Sequence, residues 1–291
     1  MADIERYERP ASLAEAVALL RGGEVTVLAG GTDLMPQTRA GARAFRPVLM
    51  NITRLPELRG IEEKAGAIRI GALTTITEIL DSPLVGGRLP VLAQAAGCFA
   101  SDQLRNWATV GGNIANASPA GDMIVPLLLL DAELELAGAG EGGGGQGTVE
   151  SRRVALKDFF TGPGQSRLEP HEILVAIHLP RPVEGFVAGF EKFGARPALD
   201  ISLVSVGIAG VRGNGALTNA RVALGAVAPT PMRATRSEAA LEGRPLDDEA
   251  IQAVAETAAA EIDPISDVRG SAWYRRQLVA NLSKRILRGV S

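Results

Sequence analysis

Two pairs of adjacent glycines constrain the fold of this chain more than any other feature of its sequence. Gly30-Gly31 follows the β-branched run Val25–Leu28, which predicts a strand. Gly111-Gly112 lies in a segment rich in small polar residues, 101–122. Adjacent glycines accept φ values that turn successive backbone N–H groups into one concavity, which favours anion binding. Each pair therefore predicts a tight bend that could hold an anion, with an ordinary turn or surface loop as the alternative.

The segment 101–122 is predicted to be neither helix nor strand, because its small hydrogen-bonding residues are poor formers of both. We expect it to wrap closely around a polar ligand, with Trp107 and Val110 anchoring it in the core. Free cations are scarce near both glycine pairs, so the backbone amides are expected to hold a diphosphate. Asp33 and Asp122 would repel phosphate, and we expect them to accept hydrogen bonds from sugar hydroxyls or from the amides.

A third glycine-rich segment, 138–147, contains the spacing G-x-G-x-x-G at Gly138, Gly140 and Gly143. That spacing binds a dinucleotide only where a strand precedes it and a helix opens from it. Here alternating residues predict a strand on both sides. The segment is therefore interpreted as the flexible tip of a hairpin.

Two domains are expected from the length of 291 residues and from a change of character near residue 180. The first domain spans 1–179, with subdomains of about 1–55 and 56–179, and the second spans 180–291. Ser12 and Glu15 form a capping-box pattern at the start of the first helix. Periodicity predicts helices at 12–20, 77–80, 89–96, 124–130, 237–241, 247–262 and 272–287, and strands at 25–28, 47–52, 67–70, 132–136, 148–154, 172–179, 186–193, 202–211 and 220–226.

Composition excludes several classes of function. The net charge of -3 gives no positive field for nucleic acid or for an anionic membrane surface. One cysteine, Cys98, and two histidines cannot supply an iron–sulfur cluster or a structural zinc site, so we expect no metal site. Cys98 is predicted to be a buried, inert thiol. The start of the chain lacks a signal-peptide pattern and no apolar run is long enough for a membrane helix, so a cytoplasmic protein is expected.

Several segments together resemble the FAD-binding (medium) subunit of the molybdenum hydroxylases, the family of xanthine dehydrogenase, aldehyde oxidoreductases and aerobic carbon monoxide dehydrogenase. The pattern T-x-G-G-N to S-P-x-x-D within 109–122 is highly specific, and the other segments are moderately so. The resemblance spans nearly the whole chain in the right order. The segments that carry it are 29–34, 102–106, 109–122, 172–174, 191–202, 267–272 and 274–276.

The resemblance implies an α+β fold. The first domain would be a vanillyl-alcohol-oxidase-type (PCMH) FAD-binding domain of two α/β subdomains, and the second would carry a three-stranded antiparallel sheet with helices. It also implies non-covalent FAD, a small partner subunit with two [2Fe–2S] clusters and a large partner subunit with the molybdopterin cofactor, in a dimer of heterotrimers. Substrate would be hydroxylated on the large subunit, so this chain would have no catalytic side chain and would pass electrons from the clusters through FAD to an external acceptor.

Carried over by position, the resemblance implies a set of cofactor-binding residues. The segment 27–34 would hold the FAD diphosphate with its amides, the loop 109–113 would bind the flavin, and Lys192 would lie near the flavin. Trp107 and the 138–147 tip depart from the family pattern. The implied residues are Val27, Leu28, Ala29, Gly30, Gly31, Thr32, Asp33, Leu34, Phe99, Thr109, Val110, Gly111, Gly112, Asn113, Ser118, Asp122, Leu174 and Lys192.

Two other interpretations remain open at this point. A free-standing flavoprotein oxidase or reductase of the same fold would need an acid or base over the flavin, which the sequence does not identify. A cofactor-free interaction scaffold would bind no FAD. The sequence names neither the hydroxylated substrate nor the final electron acceptor.

Overall fold

The computed structural model describes residues 4–64, 66–140, 148–196 and 199–290. Helices and strands alternate along the first part. The described strands form three larger sheets and the two-stranded sheet β8-β9. The strands are β1 Arg6–Glu8, β2 Val25–Leu28, β3 Val48–Asn51, β4 Ile61–Lys64, β5 Ala67–Gly71, β6 Glu133–Ala139, β7 Val149–Ala155, β8 Phe160–Gly162, β9 Gln165–Ser166, β10 Glu172–Pro180, β11 Phe186–Phe193, β12 Val204–Gly213, β13 Ala216–Gly225 and β14 Met232–Arg233. The helices are α1 Leu13–Leu20, α2 Leu34–Arg39, α3 Ile76–Asp81, α4 Pro83–Arg88, α5 Pro90–Gly97, α6 Asp102–Arg105, α7 Val110–Ala115, α8 Ile124–Leu129, α9 Thr235–Leu241, α10 Asp248–Glu261 and α11 Ala272–Val290, with 3₁₀ turns at Pro56–Leu58 and Leu156–Asp158.

The first sheet is small and parallel, in the order β1-β3-β2. Its helix α1 begins as the sequence predicts, because the Ser12 hydroxyl accepts a hydrogen bond from the Glu15 amide at 3.3 Å. The Glu15 carboxylate accepts a hydrogen bond from the Ala11 amide, one residue earlier than the capping-box pattern predicts. The apolar face of α1 covers a core that contains Val17, Leu20 and Met50.

The second sheet is antiparallel, in the order β4-β5-β10-β6-β7. Strands β6 and β7 pair up to Ala139 and Val149, so the chain on either side of the predicted glycine-rich tip forms a hairpin. The tip residues 141–147, with Gly143, lie outside the described residues. Helices α3, α5 and α8 contribute apolar side chains to the largest core, which this sheet shares.

The third sheet is antiparallel, in the order β11-β12-β13-β14. The prediction of three strands was wrong by one short strand, because β14 pairs its two residues with Ala223 and Leu224 of β13. Two residues carry no periodicity, which explains why the sequence did not predict this strand. Helices α10 and α11 pack on the sheet around Val206, Ile251 and Leu282.

The core of the second sheet continues into the third. Phe190 of β11 and Ala209 of β12 belong to the same buried cluster as Ile70 and Leu127. The cavity described below lies on the first two sheets, beside this junction. None of the helices in the described ranges combines the length and the apolar character needed to span a bilayer.

Candidate functional site

A cavity of about 680 Å³ lies where the end of β2, the start of α7 and the β8–β10 region meet. Most of the residues predicted for the cofactor line it, although they come from distant parts of the sequence. Those that line it are Val27, Ala29, Gly30, Gly31, Thr32, Asp33, Leu34, Phe99, Thr109, Gly111, Gly112, Asn113 and Leu174.

The first glycine bend, residues 30–33, presents backbone donors to this cavity. Gly31 adopts φ +73°, a conformation that glycine takes without strain. The amide N–H groups of Gly30, Gly31, Thr32 and Asp33 donate to no acceptor among the described residues. Unpaired backbone donors beside a cavity require an acceptor, from water or from a ligand. The predicted anion site therefore has a structural basis at this bend.

The first bend lies against the segment that leads into the second bend. A Cβ on Gly30 would overlap the backbone carbonyl of Trp107, so only glycine allows this approach. A second link joins α2, which follows the first bend, to the C-cap residue of α7, because the Gln37 side-chain amide donates to the Asn116 side-chain oxygen at 3.1 Å. The bends therefore form one continuous wall of the cavity.

The second glycine bend differs from the prediction, because it is the first turn of helix α7. The Thr109 hydroxyl accepts from the Gly112 amide at 3.0 Å, and the Gly111 amide donates to Ala72 O at 2.9 Å. These amides are already paired, so this bend shapes the cavity without offering free donors. The expectation of an irregular backbone here was wrong, since a side-chain cap and tertiary hydrogen bonds outweigh the low helix propensity of glycine.

Trp107 also departs from expectation. Its side chain is 67% exposed, whereas Val110 is fully buried. The segment is therefore anchored by Val110 and by its hydrogen bonds to Thr74 and Ala72, and Trp107 contributes only its backbone.

Asp33 is a carboxylate at the edge of the cavity. It stands at the N-terminus of α2 but makes no side-chain capping bond. The protein around it removes water and raises the pKa of its carboxyl group. Asp33 is therefore an acceptor whose charge is stabilised by no partner among the described side chains.

Several cavity residues were missed by the sequence analysis. Arg43 and Arg46 lie along it, which brings two cations where few were expected. The β8–β9 hairpin and the following loop supply another wall, with Gln165, Ser166 and Glu169. Glycine and proline around residues 162–170 signal a turn, but no sequence pattern places that turn against the glycine bends.

Other predicted residues lie outside this lining. Leu28 and Val110 pack behind the two bends, and Ser118 lies in the turn after α7, where its hydroxyl accepts from the Ala120 amide. Asp122 and Lys192 form an ion pair at 2.6 Å between Oδ2 and Nζ, at the junction with the third sheet.

The Asp122–Lys192 pair is nearly buried, with side-chain exposures of 12% and 10%. The other Asp122 oxygen accepts from the Ser202 hydroxyl at 2.8 Å. Burial raises the pKa of the Asp122 carboxyl group, and the charge and hydrogen bond of Lys192 and the hydrogen bond of Ser202 oppose that shift. Both oxygens of Asp122, predicted to bind cofactor hydroxyls or amides, are thus engaged by protein side chains.

Cys98 corrects another expectation, because the residue is exposed and not buried. Partial desolvation by the surrounding chain nevertheless raises the pKa of its thiol, a shift that Lys192 partly opposes. A raised pKa disfavours the nucleophilic thiolate at neutral pH.

A larger groove of about 930 Å³ runs between the end of α4 and residues 181–188. None of the residues predicted for the cofactor lines it. The smaller cavity at the glycine bends is therefore the candidate site.

Comparison with known proteins gives matches over nearly the whole chain. The family model described as "FAD binding domain in molybdopterin dehydrogenase" matches residues 2–182, and the model described as "CO dehydrogenase flavoprotein C-terminal domain" matches residues 190–290. A xanthine dehydrogenase FAD-binding subunit of Escherichia coli is 35% identical over 290 residues, covering 99% of this chain and 96% of the relative. The carbon monoxide dehydrogenase medium chain of Hydrogenophaga pseudoflava is 35% identical over 284 residues, covering 97% and 95%.

Solved structures match equally well. A chain of carbon monoxide dehydrogenase from Hydrogenophaga pseudoflava, in a form lacking the Mo-pyranopterin moiety of its molybdenum cofactor, superposes with a TM-score of 0.92 at 34% identity, covering 100% of this chain and 98% of that one. A chain of quinoline 2-oxidoreductase from Pseudomonas putida 86 superposes with a TM-score of 0.88 at 28% identity, covering 98% and 96%.

Proposed function

Because this chain belongs to the family of FAD-binding subunits of molybdopterin dehydrogenases, we propose that it is the electron-transfer flavin subunit of a multi-subunit molybdenum hydroxylase. It takes electrons from [2Fe–2S] clusters on a small partner subunit and passes them to an external acceptor. Hydroxylation of the substrate takes place at the molybdopterin cofactor of a large partner subunit. The relatives named as medium chains or FAD-binding subunits of dehydrogenases support this division of labour.

One observation carries the proposal: the row of unpaired amides of residues 30–33 beside a cavity of about 680 Å³. That volume lies within the range typical of cofactor sites. The amides suit the diphosphate of FAD, because successive N–H groups bind an anion without a side-chain charge. The residues present therefore fit the cofactor that the family binds.

The residues of the two bends have different roles in this proposal. The amides of Gly30 to Asp33 hold the diphosphate, and the close contact of Gly30 with the Trp107 backbone keeps them in place. Buried Leu174 provides an apolar wall, and Asp33 accepts from a sugar hydroxyl. The proposed cofactor residues that line the cavity are 27, 29–34, Phe99, 109, 111–113 and Leu174, with Arg43 and Arg46 added. The other residues expected from the sequence are proposed to support the site from behind this lining: Leu28, Val110, Ser118, Asp122 and Lys192.

The bound FAD supplies the redox chemistry, and the protein sets its position and surroundings. No side chain of this chain is proposed as a catalytic acid or base. Binding is proposed to be non-covalent.

The finer features of the fold and assembly are also proposals. We assign the first domain, 1–179, to the vanillyl-alcohol-oxidase (PCMH) type with subdomains of about 1–55 and 56–179, and the second domain to 180–291. The complete enzyme is proposed to be a dimer of heterotrimers in the cytoplasm.

The proposal is tested on the chain purified by itself and on the native complex. The isolated chain should bind FAD, release it on denaturation and hydroxylate no organic substrate. The native protein should co-elute with an iron–sulfur chain and a molybdopterin chain in size-exclusion chromatography. A lone oligomer that oxidises an organic substrate would instead identify a free-standing flavoenzyme.

A further inference from the structure

Ser202 occupies a position that the proposed function does not explain. It is 2% exposed and precedes β12, just after a loop in which Asp200 accepts a hydrogen bond from the Arg196 amide at 3.0 Å. Its hydroxyl donates to Asp122 Oδ1 at 2.8 Å. Asp122 comes from the other side of the junction between the second and third sheets, so this bond crosses between the two parts of the molecule.

The Asp122 carboxylate connects Ser202 to Lys192. Lys192 Nζ lies 2.6 Å from Asp122 Oδ2 and 3.4 Å from the carbonyl oxygen of Cys98. The next residue, Phe99, lines the cavity. On the other side, the Asn113 side chain, which also lines the cavity, accepts from the Met123 amide at 3.2 Å. The cluster of Ser202, Asp122 and Lys192 therefore lies directly behind the cavity wall.

We propose that Ser202 is a positioning residue for the flavin site: its hydroxyl orients the Asp122 carboxylate, which in turn fixes the Lys192 ammonium beside the cavity. The inference rests on the proposed function, because Lys192 acts on a flavin only if FAD binds there. Ser202 itself lies outside the cavity lining and acts through Asp122.

The physical basis is the desolvation of the pair. Carboxylate charge is unfavourable in a site with so little access to water, and each donor that Asp122 keeps helps to hold it ionised. Loss of the Ser202 hydroxyl would raise the pKa of Asp122 further, because that hydrogen bond favours the charged form. A protonated Asp122 would leave the Lys192 ammonium without its counter-charge and without a fixed position.

Other charged groups surround the cluster but are engaged elsewhere. Arg105 of α6 donates to Phe99 O at 2.7 Å and pairs with Asp102. Glu191 of β11 is bound by Arg285 of α11. The Cys98 thiol also lies near Lys192, whose charge lowers the pKa of the thiol against the effect of desolvation. Among the described residues, Asp122 is therefore the anion that balances Lys192.

The test compares Ser202→Ala, Ser202→Thr and Ser283→Ala in the full chain. Ser283 is the matched control, because its buried hydroxyl has no hydrogen-bond partner among the described residues. FAD affinity is measured by flavin fluorescence quenching as a function of pH, and folding is checked by circular dichroism. We expect Ser202→Ala to bind FAD about tenfold more weakly, since a hydrogen bond to a charged group is lost. The pH below which affinity falls should move upward in Ser202→Ala, whereas Ser202→Thr and Ser283→Ala should match the wild type.

A second variant, Asp122→Asn, covers the case in which Ser202→Ala does not fold. It keeps a hydrogen-bonding side chain but removes the charge, so it should weaken FAD binding and abolish the fall in affinity at low pH. If Ser202→Ala folds and its FAD affinity and pH profile are unchanged, the inference is overturned and the proposed function stands. If Ser202→Ala does not fold, the same unchanged result in Asp122→Asn has the same consequence. Failure of the wild type itself to bind FAD would overturn both.

Discussion

Gly30 and Gly31 are neighbours, yet each is glycine for a different physical reason. At Gly30 the constraint is space, because a side chain would overlap the backbone of Trp107. At Gly31 the constraint is conformation, because its φ of +73° is strained for residues with a Cβ. A ligand held by the amides of this bend depends on both.

Gly31→Val tests the bend. The substitution should destabilise the fold by about 1–2 kcal/mol through backbone strain and should also abolish FAD retention, because the β-branched side chain distorts the row of amides. Calorimetry and flavin fluorescence measure the two effects.

Gly41→Val is the matched control. Gly41 has nearly the same φ, +74°, but nothing lies within 4 Å of the position that a Cβ would occupy, and the residue does not line the cavity. The Gly41→Val variant should lose a similar amount of unfolding free energy and should retain FAD. Equal FAD affinity in both variants would show that the bend does not hold the cofactor.

Patterns in the local sequence could predict the two glycine bends, but without the resemblance to a family they could not predict contacts between distant segments. The two glycine pairs are recognisable because their spacing and the preceding strand are local features. Arg43 and Arg46 reach the cavity only because the chain between α2 and β3 folds along β2, and Ser202 reaches Asp122 only across the junction of two sheets. No periodicity encodes such contacts.

Among the elements, α7 shows how capping decides a short helix. Its first turn contains Gly111 and Gly112, which favour a loop, but the Thr109 hydroxyl caps the turn at 3.0 Å. The Val110 amide also donates to Thr74 O at 3.0 Å. By contrast, α1, α10 and α11 were predicted from their apolar periodicity, because their stability comes from one buried face.

Thr109→Ala should lower the free energy of unfolding by about 1 kcal/mol, because the cap is lost. Thr109→Ser keeps the hydroxyl and should retain most of the stability. Urea titration of both variants measures the difference. Equal stability of Thr109→Ala and the wild type would show that the hydrogen bonds to Thr74 and Ala72 hold the turn without the cap.

The ion pair between Arg152 of β7 and Glu172 at the start of β10 predicts a dependence of stability on pH. Burial alone would raise the pKa of Glu172, but hydrogen bonds from Arg152 at 2.6 Å and from the Glu169 amide hold it below the ordinary pKa of a glutamate. A carboxyl group with a lowered pKa in the folded state stabilises the protein above its unfolded pKa and loses that effect as the pH falls.

Glu172→Gln should therefore melt at a lower temperature than the wild type at pH 7. The difference should shrink as the pH falls below about 4.5, where the wild type loses the same interaction. Thermal melts between pH 3 and pH 7 measure this difference in melting temperature. Glu150→Gln, at an exposed position on β7, the strand of Arg152, should match the wild type at every pH. A constant difference at all pH values would contradict the predicted role of the charge.

At the scale of the whole molecule, the shared core predicts that the chain unfolds as one unit. Phe190 lies on β11 of the third sheet but packs into the core of the second sheet, whereas Phe193 on the same strand packs towards the core under α11. The boundary near residue 180 stays a prediction from the turn residues. The continuity of the core past that point could not be predicted, since it depends on which face of β11 each side chain takes.

Phe190→Ala should lower the free energy of unfolding by about 3–5 kcal/mol, because it removes a ring that is 2% exposed. Differential scanning calorimetry should record one transition at a lower temperature. Two transitions, of which only one moves, would show that the parts fold independently. Phe193→Ala, at a half-buried position, should lower the free energy of unfolding by less.

The contact between Gly30 and Trp107 also gives the molecule an internal optical probe. The sequence contains two tryptophans, Trp107 and Trp273, and the first has its backbone against the bend that we assign to the diphosphate. Oxidised isoalloxazine absorbs light where indole emits, so a nearby bound flavin would quench Trp107 by resonance energy transfer. In a Trp273→Phe background, the emission intensity of a single indole would report occupancy of the cavity continuously and without a label.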